Sequence, residues 1–217
     1  MSAPVRETGE APRRRLPWSW IVIAVAVVAV PVGWLLADPP RPSRGLGRLP
    51  TFTLTDQDGR SFGSADLGGK PAVINFFFTS CPSICPRLTR AMRSLQRRFA
   101  GAGLEVQLVS ISVDPETDTP ARLTAYARKY EIDPRNWRLL TGRREEVRRT
   151  IVEGFRMHLG PRYRNADNMV DISHSGRFVL VDARREVVGY FRSDPTGLEA
   201  LFQRVRALRG DEGSEGS

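Results

Sequence analysis

The sequence predicts an α/β fold: a central mixed sheet flanked by helices, preceded by one N-terminal transmembrane helix. Three observations predict it. Between Ala72 and Phe155, apolar runs of strand length alternate with segments whose apolar residues recur at helical spacing. Two short apolar runs, Phe178-Val179-Leu180-Val181 and Val187-Val188-Gly189-Tyr190-Phe191, then read as a closing hairpin ahead of a last helix. Far upstream, Trp18 to Ala37 is uninterrupted and apolar. Strands joined through helices lie parallel, with right-handed crossovers, and a terminal hairpin makes the sheet mixed.

In chain order, residues 1–17 form a cytoplasmic segment and 18–37 the transmembrane anchor. About 20 apolar residues of helix cross the hydrocarbon core, and Trp18, Trp20 and Trp34 fall where interfacial aromatics belong. Arg13-Arg14-Arg15 precede the run and Asp38-Pro39-Pro40 follow it, which leaves the N-terminus inside and the bulk of the chain outside the cytoplasm. A cleaved signal peptide fits less well, because the run is too long and Leu35-Leu36-Ala37 is a poor cleavage site. Residues 38–49 read as a proline- and arginine-rich linker, 50–209 as the exported domain and 210–217 as a disordered tail.

Within the domain, Phe52 to Phe62 reads as a hairpin turning at Asp58-Gly59. Ala72 to Phe78 is a buried strand. Ile84, Leu88, Met92, Leu95 and Phe99 lie on one helix face, with Arg87, Arg90, Arg93 and Arg97 turned outward. Leu104 to Val113 is the next strand. Asp118 or Thr119 caps a helix that has Pro120 in its first turn and Leu123, Tyr126, Ala127 and Tyr130 as its buried stripe. Arg138 to Leu140 is a third strand, Glu145 to Phe155 a third helix, Gly160 to Met169 a polar loop, and Leu198 to Leu208 the apolar face of the last helix.

The 217 residues carry a formal net charge of +9, nearly all of it from arginine, since Lys70 and Lys129 are the only lysines. Scattered acids and the lack of a recognition motif make this a solvated surface rather than a nucleic-acid face.

The chemistry concentrates where the strand Ala72–Phe78 turns into its helix. Cys81 and Cys85 are the only cysteines, spaced to share one helix face one turn apart. At a helix N-terminus the dipole and free amides favour thiolate. Two such thiolates can chelate a soft metal or close a disulfide, and a purely structural bridge is the plain alternative. Of the two histidines, His158 reads as a surface residue. His174, just ahead of the closing hairpin, reaches the carboxyl edge of the sheet, where the Cys81 turn also lies.

The element order resembles the thioredoxin-like fold. More specifically, Thr79-Ser80-Cys81-Pro82-Ser83-Ile84-Cys85-Pro86, Ser112 to Pro120, Trp137 ahead of Leu140-Thr141-Gly142, and Ser173-His174-Ser175 are together similar to the SCO/SenC family. Those proteins are membrane-tethered, thioredoxin-like copper chaperones for the dinuclear copper site of cytochrome c oxidase. The resemblance covers about Phe52 to Leu208. It implies copper, Cu(I) or Cu(II), on Cys81, Cys85 and His174, with Cys81–Cys85 as the redox pair and disulfide. Asp114-Pro115 becomes a structural loop. The implied partners are the copper-site subunit of the oxidase, other periplasmic copper chaperones and, through the N-terminal helix, the membrane, with no nucleic acid. Where the family commonly has aspartate before the histidine, this chain has Ser173, with Asp171 upstream. A thiol-disulfide oxidoreductase acting on the oxidase's copper-ligand cysteines is the alternative, although such enzymes usually have two residues between the cysteines and a proline where His174 stands. A peroxidase of the same fold would need a single attacking cysteine and fits least.

Overall fold

The computed structural model describes residues 46–82, 84–164 and 170–214. The segment read as the transmembrane anchor lies outside the described residues. Among those described, no helix is long and apolar enough to cross a membrane.

The strands in chain order are β1 (Thr53–Asp56), β2 (Ser61–Gly63), β3 (Ala72–Phe77), β4 (Gln107–Ser112), β5 (Trp137–Thr141), β6 (Leu159–Arg164), β7 (Val170–His174), β8 (Phe178–Val181) and β9 (Val187–Phe191). Seven of them form one sheet in the order β2-β1-β5-β4-β3-β8-β9. Strands β3, β4 and β5 are parallel, whereas β1 joins β5 and β8 joins β3 antiparallel. Every residue of β3 is buried, as a central strand covered on both faces requires. Its alternating side chains meet different layers: Phe77 packs on Tyr126 with ring centroids 5.1 Å apart, and Phe76 packs on Phe155 at 5.5 Å.

On the Phe77 face lie α1 (Cys85–Gly101), α2 (Pro120–Lys129) and, packed on α1, the last helix α4 (Pro195–Ser214). Helix α3 (Arg144–Arg149) covers the other face and widens into a π-helical turn over Thr150–Gly154. Helix α1 buries Leu88, Met92, Leu95 and Phe99 of the stripe the spacing predicts, while Ile84 is its half-buried N-cap, and Phe99 stacks on Phe202 of α4. Thr119 caps α2, its side chain accepting from the amide of Arg122. In the first hairpin Gly59 takes φ +78°, and Asp56 accepts from the amides of Asp58 and Arg60 to close the turn.

Three features depart from the sequence reading. Gly160 to Met169, expected as a loop, supplies much of β6, which pairs with β7 in a separate two-stranded ribbon. Most of β6 faces solvent, so no buried face leaves an apolar–polar alternation in its sequence. Residues 46–49, read as the end of the linker, run along the closing hairpin, with the Leu46 and Leu49 amides bonded to the Val187 and Arg185 carbonyls. Helix α4 continues past Gly210, where the sequence suggests a disordered tail.

A buried polar chain crosses the parallel strands. Trp137 Nε1 donates to Ser110 Oγ at 2.9 Å, and Ser110 Oγ donates to Asn75 Oδ1 at 2.6 Å. Ser110→Ala strips a partner from two buried groups at once and is expected to destabilise the fold by about 2 kcal/mol or more, read from the midpoint of denaturant unfolding.

Candidate metal centre

Strand β3 delivers the chain to its carboxyl edge at Phe77, and Phe78 continues fully buried. The turn that follows carries Cys81, whose amide donates to the Phe78 carbonyl at 3.3 Å. Helix α1 starts at Cys85, with Pro86 in its first turn, where the missing proline N–H is not needed. Cys81 therefore stands ahead of the helix, not on it as the four-residue spacing suggests. Its sulfur comes back to accept the Cys85 amide at 3.4 Å, so one thiol serves a helix N–H that lacks a partner within the helix. Both cysteines are buried thiols, 6% and 0% exposed for Cys81 and Cys85.

His174 ends β7 and is half-buried. Its Nε2 lies 3.6 Å from Cys85 Sγ. The other ring nitrogen, Nδ1, is 3.2 Å from the Ser175 carbonyl, which can only accept. Nδ1 thus carries the proton in the neutral ring, and the Nε2 lone pair faces the thiol. Phe78 meets the imidazole edge-on at 5.9 Å and restrains the plane of the ring. The approach of the histidine loop to the cysteine loop is close: a Cβ on Gly176 would stand 2.7 Å from Ile84 Cδ1.

The Cys85 thiol is pushed up from its ordinary value, first by its hydrogen bond with the Cys81 side chain, then by burial and by the neighbouring Cys81 charge. The direction is opposite to the lowering expected from the helix N-terminus. A neighbouring thiol and burial outweigh the dipole, because the second thiolate would form near the first and away from water. A soft cation relieves that repulsion, and a site of two thiols with an imidazole lone pair fits copper or zinc by donor type. Among the described residues no finished cage of three or more His, Cys, Asp or Glu donors is assembled, so the three groups are neighbours short of full coordination geometry.

The structure separates the remaining candidates from this group. His158 is exposed just ahead of β6. Asp171 sits three positions before His174 and so points to the other side of β7. There it accepts from the Tyr163 hydroxyl and the Ile172 amide. Ser173 is exposed on that same side, so neither residue supports the imidazole. Asp114 is buried in its loop, where its carbonyl accepts from the Thr117 and Asp118 amides.

Two supports of the site are missing from the sequence reading. Thr89 Oγ1 donates to the Cys85 carbonyl at 2.9 Å and lies 2.7 Å from the Tyr126 hydroxyl, which therefore donates to it. Burial pushes the Tyr126 phenol up, so that proton stays in place. Asp118 accepts from the Thr79 amide at 3.0 Å, the Thr79 hydroxyl at 2.5 Å and the Ser112 hydroxyl at 2.6 Å. Burial raises its carboxyl, and the Ser112 and Thr79 donors pull it back. Thr89, one helical turn beyond Cys85, is the available signal for the first support; the second joins segments 39 residues apart and leaves none.

Thr89→Val leaves the buried Tyr126 hydroxyl without its acceptor and is expected to cost about 1–3 kcal/mol in denaturant unfolding. Adding Tyr126→Phe should recover part of the loss, since removing both partners leaves nothing unpaired.

Residues 45–209 match the sequence profile of the SCO1/SenC family. The crystal structure of a SCO1/SenC family lipoprotein from Bacillus anthracis superposes with a TM-score of 0.69 at 32% identity, over 79% of this chain and 99% of that one. BsSco, described with a disulfide switch and as a member of the Sco family of cytochrome c oxidase assembly proteins, gives 0.66 at 27% identity over 77% and 95%. Bradyrhizobium japonicum ScoI with copper bound gives 0.59 at 28% identity over 73% and 99%. The chain, with its thioredoxin-like α/β domain and its paired thiols facing an imidazole, belongs to the SCO1/SenC family.

Proposed function

We propose that this protein is a membrane-tethered copper chaperone for cytochrome c oxidase, holding the ion on Cys81, Cys85 and His174 and passing it to the copper-site subunit. The observation that carries the reading is the meeting of Cys85 Sγ and His174 Nε2 at 3.6 Å, with the Cys81 sulfur against the Cys85 amide. Membership in a family with a copper-bound member supports the choice of copper over zinc. Copper is the cargo here. Two thiolates suit Cu(I), and the imidazole extends the site to Cu(II). Half-burial of the ring keeps one side of the site near solvent, where a receiving protein can compete for the ion.

The apolar run Trp18–Ala37 would anchor the domain, with residues beyond it outside the cytoplasm, in the periplasm of a bacterium. That compartment is oxidising, so a Cys81–Cys85 disulfide would be the state of the copper-free, oxidised protein.

A second reading has its own support. The Cys81 sulfur accepts the Cys85 amide at 3.4 Å, which keeps the two cysteines together, and BsSco is described with a disulfide switch. The protein would then reduce the copper-ligand cysteines of the oxidase subunit from disulfide to dithiol, its own pair closing into a disulfide as it gives up two electrons and two protons.

Titration of the reduced full chain with Cu(I) against a competing chelator, without oxygen, separates the two. One tightly bound equivalent is expected, weakened about a hundredfold or more by Cys81→Ser or Cys85→Ser, beyond what loss of a supporting group does. Absence of stoichiometric binding, together with turnover of a protein disulfide by the copper-free form, would favour the reductase.

A further inference from the structure

Asp118 is a fully buried acid whose contacts are one amide and two hydroxyls, none of them charged. Burying a carboxylate among uncharged donors is unfavourable by itself. What it holds explains its use. Two of its three donors belong to Thr79, on the short segment by which the chain leaves β3 and reaches Cys81. The third, Ser112, ends β4, the strand beside β3. Asp118 itself directly precedes Thr119, the N-cap of α2. One side chain thus ties the turn carrying Cys81 to a neighbouring strand and to the start of a helix.

The three candidate donors are positioned in different ways. Cys85 is fixed by α1 with its Thr89–Tyr126 bonds, and His174 by the β6–β7 ribbon and Phe78. Cys81 lies on neither a helix nor a strand, between the exposed Ser80 and Pro82. Thr79, two residues ahead of it, is where the turn is pinned to the rest of the domain.

We infer that Asp118 is a positioning residue that holds Cys81 against Cys85 and His174 by clamping Thr79. This rests on the copper reading for its consequence in metal binding, but the clamp itself is a property of the copper-free protein. A carboxylate suits the task because both its oxygens accept. Oδ2 takes the Thr79 amide and the Ser112 hydroxyl, and Oδ1 takes the Thr79 hydroxyl. An asparagine can reproduce the oxygen that receives the amide and leaves its Nδ2 facing a hydroxyl that must turn round, so it restores part of the clamp. Alanine restores none. Thr79→Val removes the hydroxyl arm while leaving Asp118 in place.

The test uses the full chain, reduced, and two readouts. In the copper-free protein, the rate of Cys81 alkylation by a small maleimide is followed with Cys85→Ser as background, at several denaturant concentrations below unfolding. Asp118→Ala is expected to speed alkylation about tenfold or more with little dependence on denaturant, the mark of local opening. Asp118→Asn and Thr79→Val should fall between it and the parent. In the protein with both cysteines, Asp118→Ala should weaken Cu(I) binding by about 10- to 100-fold, the range seen when a supporting group behind metal ligands is lost. Alkylation that rises only in step with global destabilisation, or variants that alkylate like the parent, would overturn the inference and leave Asp118 as an ordinary fold contact. If the parent itself failed to bind copper, the functional reading would fall, while the alkylation series would still decide the role of Asp118.

Discussion

The antiparallel seating of β8 on β3 is the constraint on which the site depends. Register pairs Ala72 with Val181, Val73 with Leu180 and Ile74 with Val179. Because the two strands run in opposite directions, the chain entering β8 arrives where the chain leaving β3 departs. His174 and Cys85 meet for that reason across 89 residues of sequence. A parallel strand at the same place would carry its incoming loop to the far end of the sheet. The loops then close on one another tightly enough that a side chain at Gly176 would have to push Ile84 Cδ1 aside.

Much of this is readable from residue types. Strand β3 announces itself by a run that is apolar but for Asn75, α1 by a stripe at spacings of three and four, and the first turn by Asp58-Gly59. The grouping of the cysteines with His174 is what the resemblance of their motifs to the SCO/SenC family implies; the rule that loops gather at the carboxyl edge of α/β sheets only makes it possible. What is not readable has particular causes. Spacing of four cannot say where a helix begins, so it puts Cys81 on α1 when the residue precedes it. The β6–β7 ribbon keeps most of β6 in solvent, and a strand without a buried face leaves no alternation to detect. The direction of the Cys85 shift turns on a sulfur neighbour and on burial, neither of which a helix-dipole argument contains.

Polar side chains placed inside the fold contribute the fine positioning. Ser110 links Asn75 to Trp137 across the parallel strands, Thr89 and Tyr126 hold the Cys85 carbonyl, and Asp118 holds Thr79. Hydrophobic packing of β3 against both helical layers sets where the sheet edge lies. These bonds, directional and short, set where the sulfurs sit at that edge. A reduced pair that resists double ionisation without a cation is the chemical result: the Cys81 neighbour and burial push the Cys85 thiol up, and a soft metal ion would favour the pair of thiolates.

If the proposed function holds, two sulfurs and one imidazole nitrogen are the donors to copper. X-ray absorption at the copper edge of the loaded full chain tests it most directly. Two sulfur scatterers and one nitrogen with the outer-shell pattern of an imidazole are expected, the latter lost in His174→Ala. A spectrum with fewer than two sulfurs, or an imidazole pattern that survives His174→Ala, would contradict it.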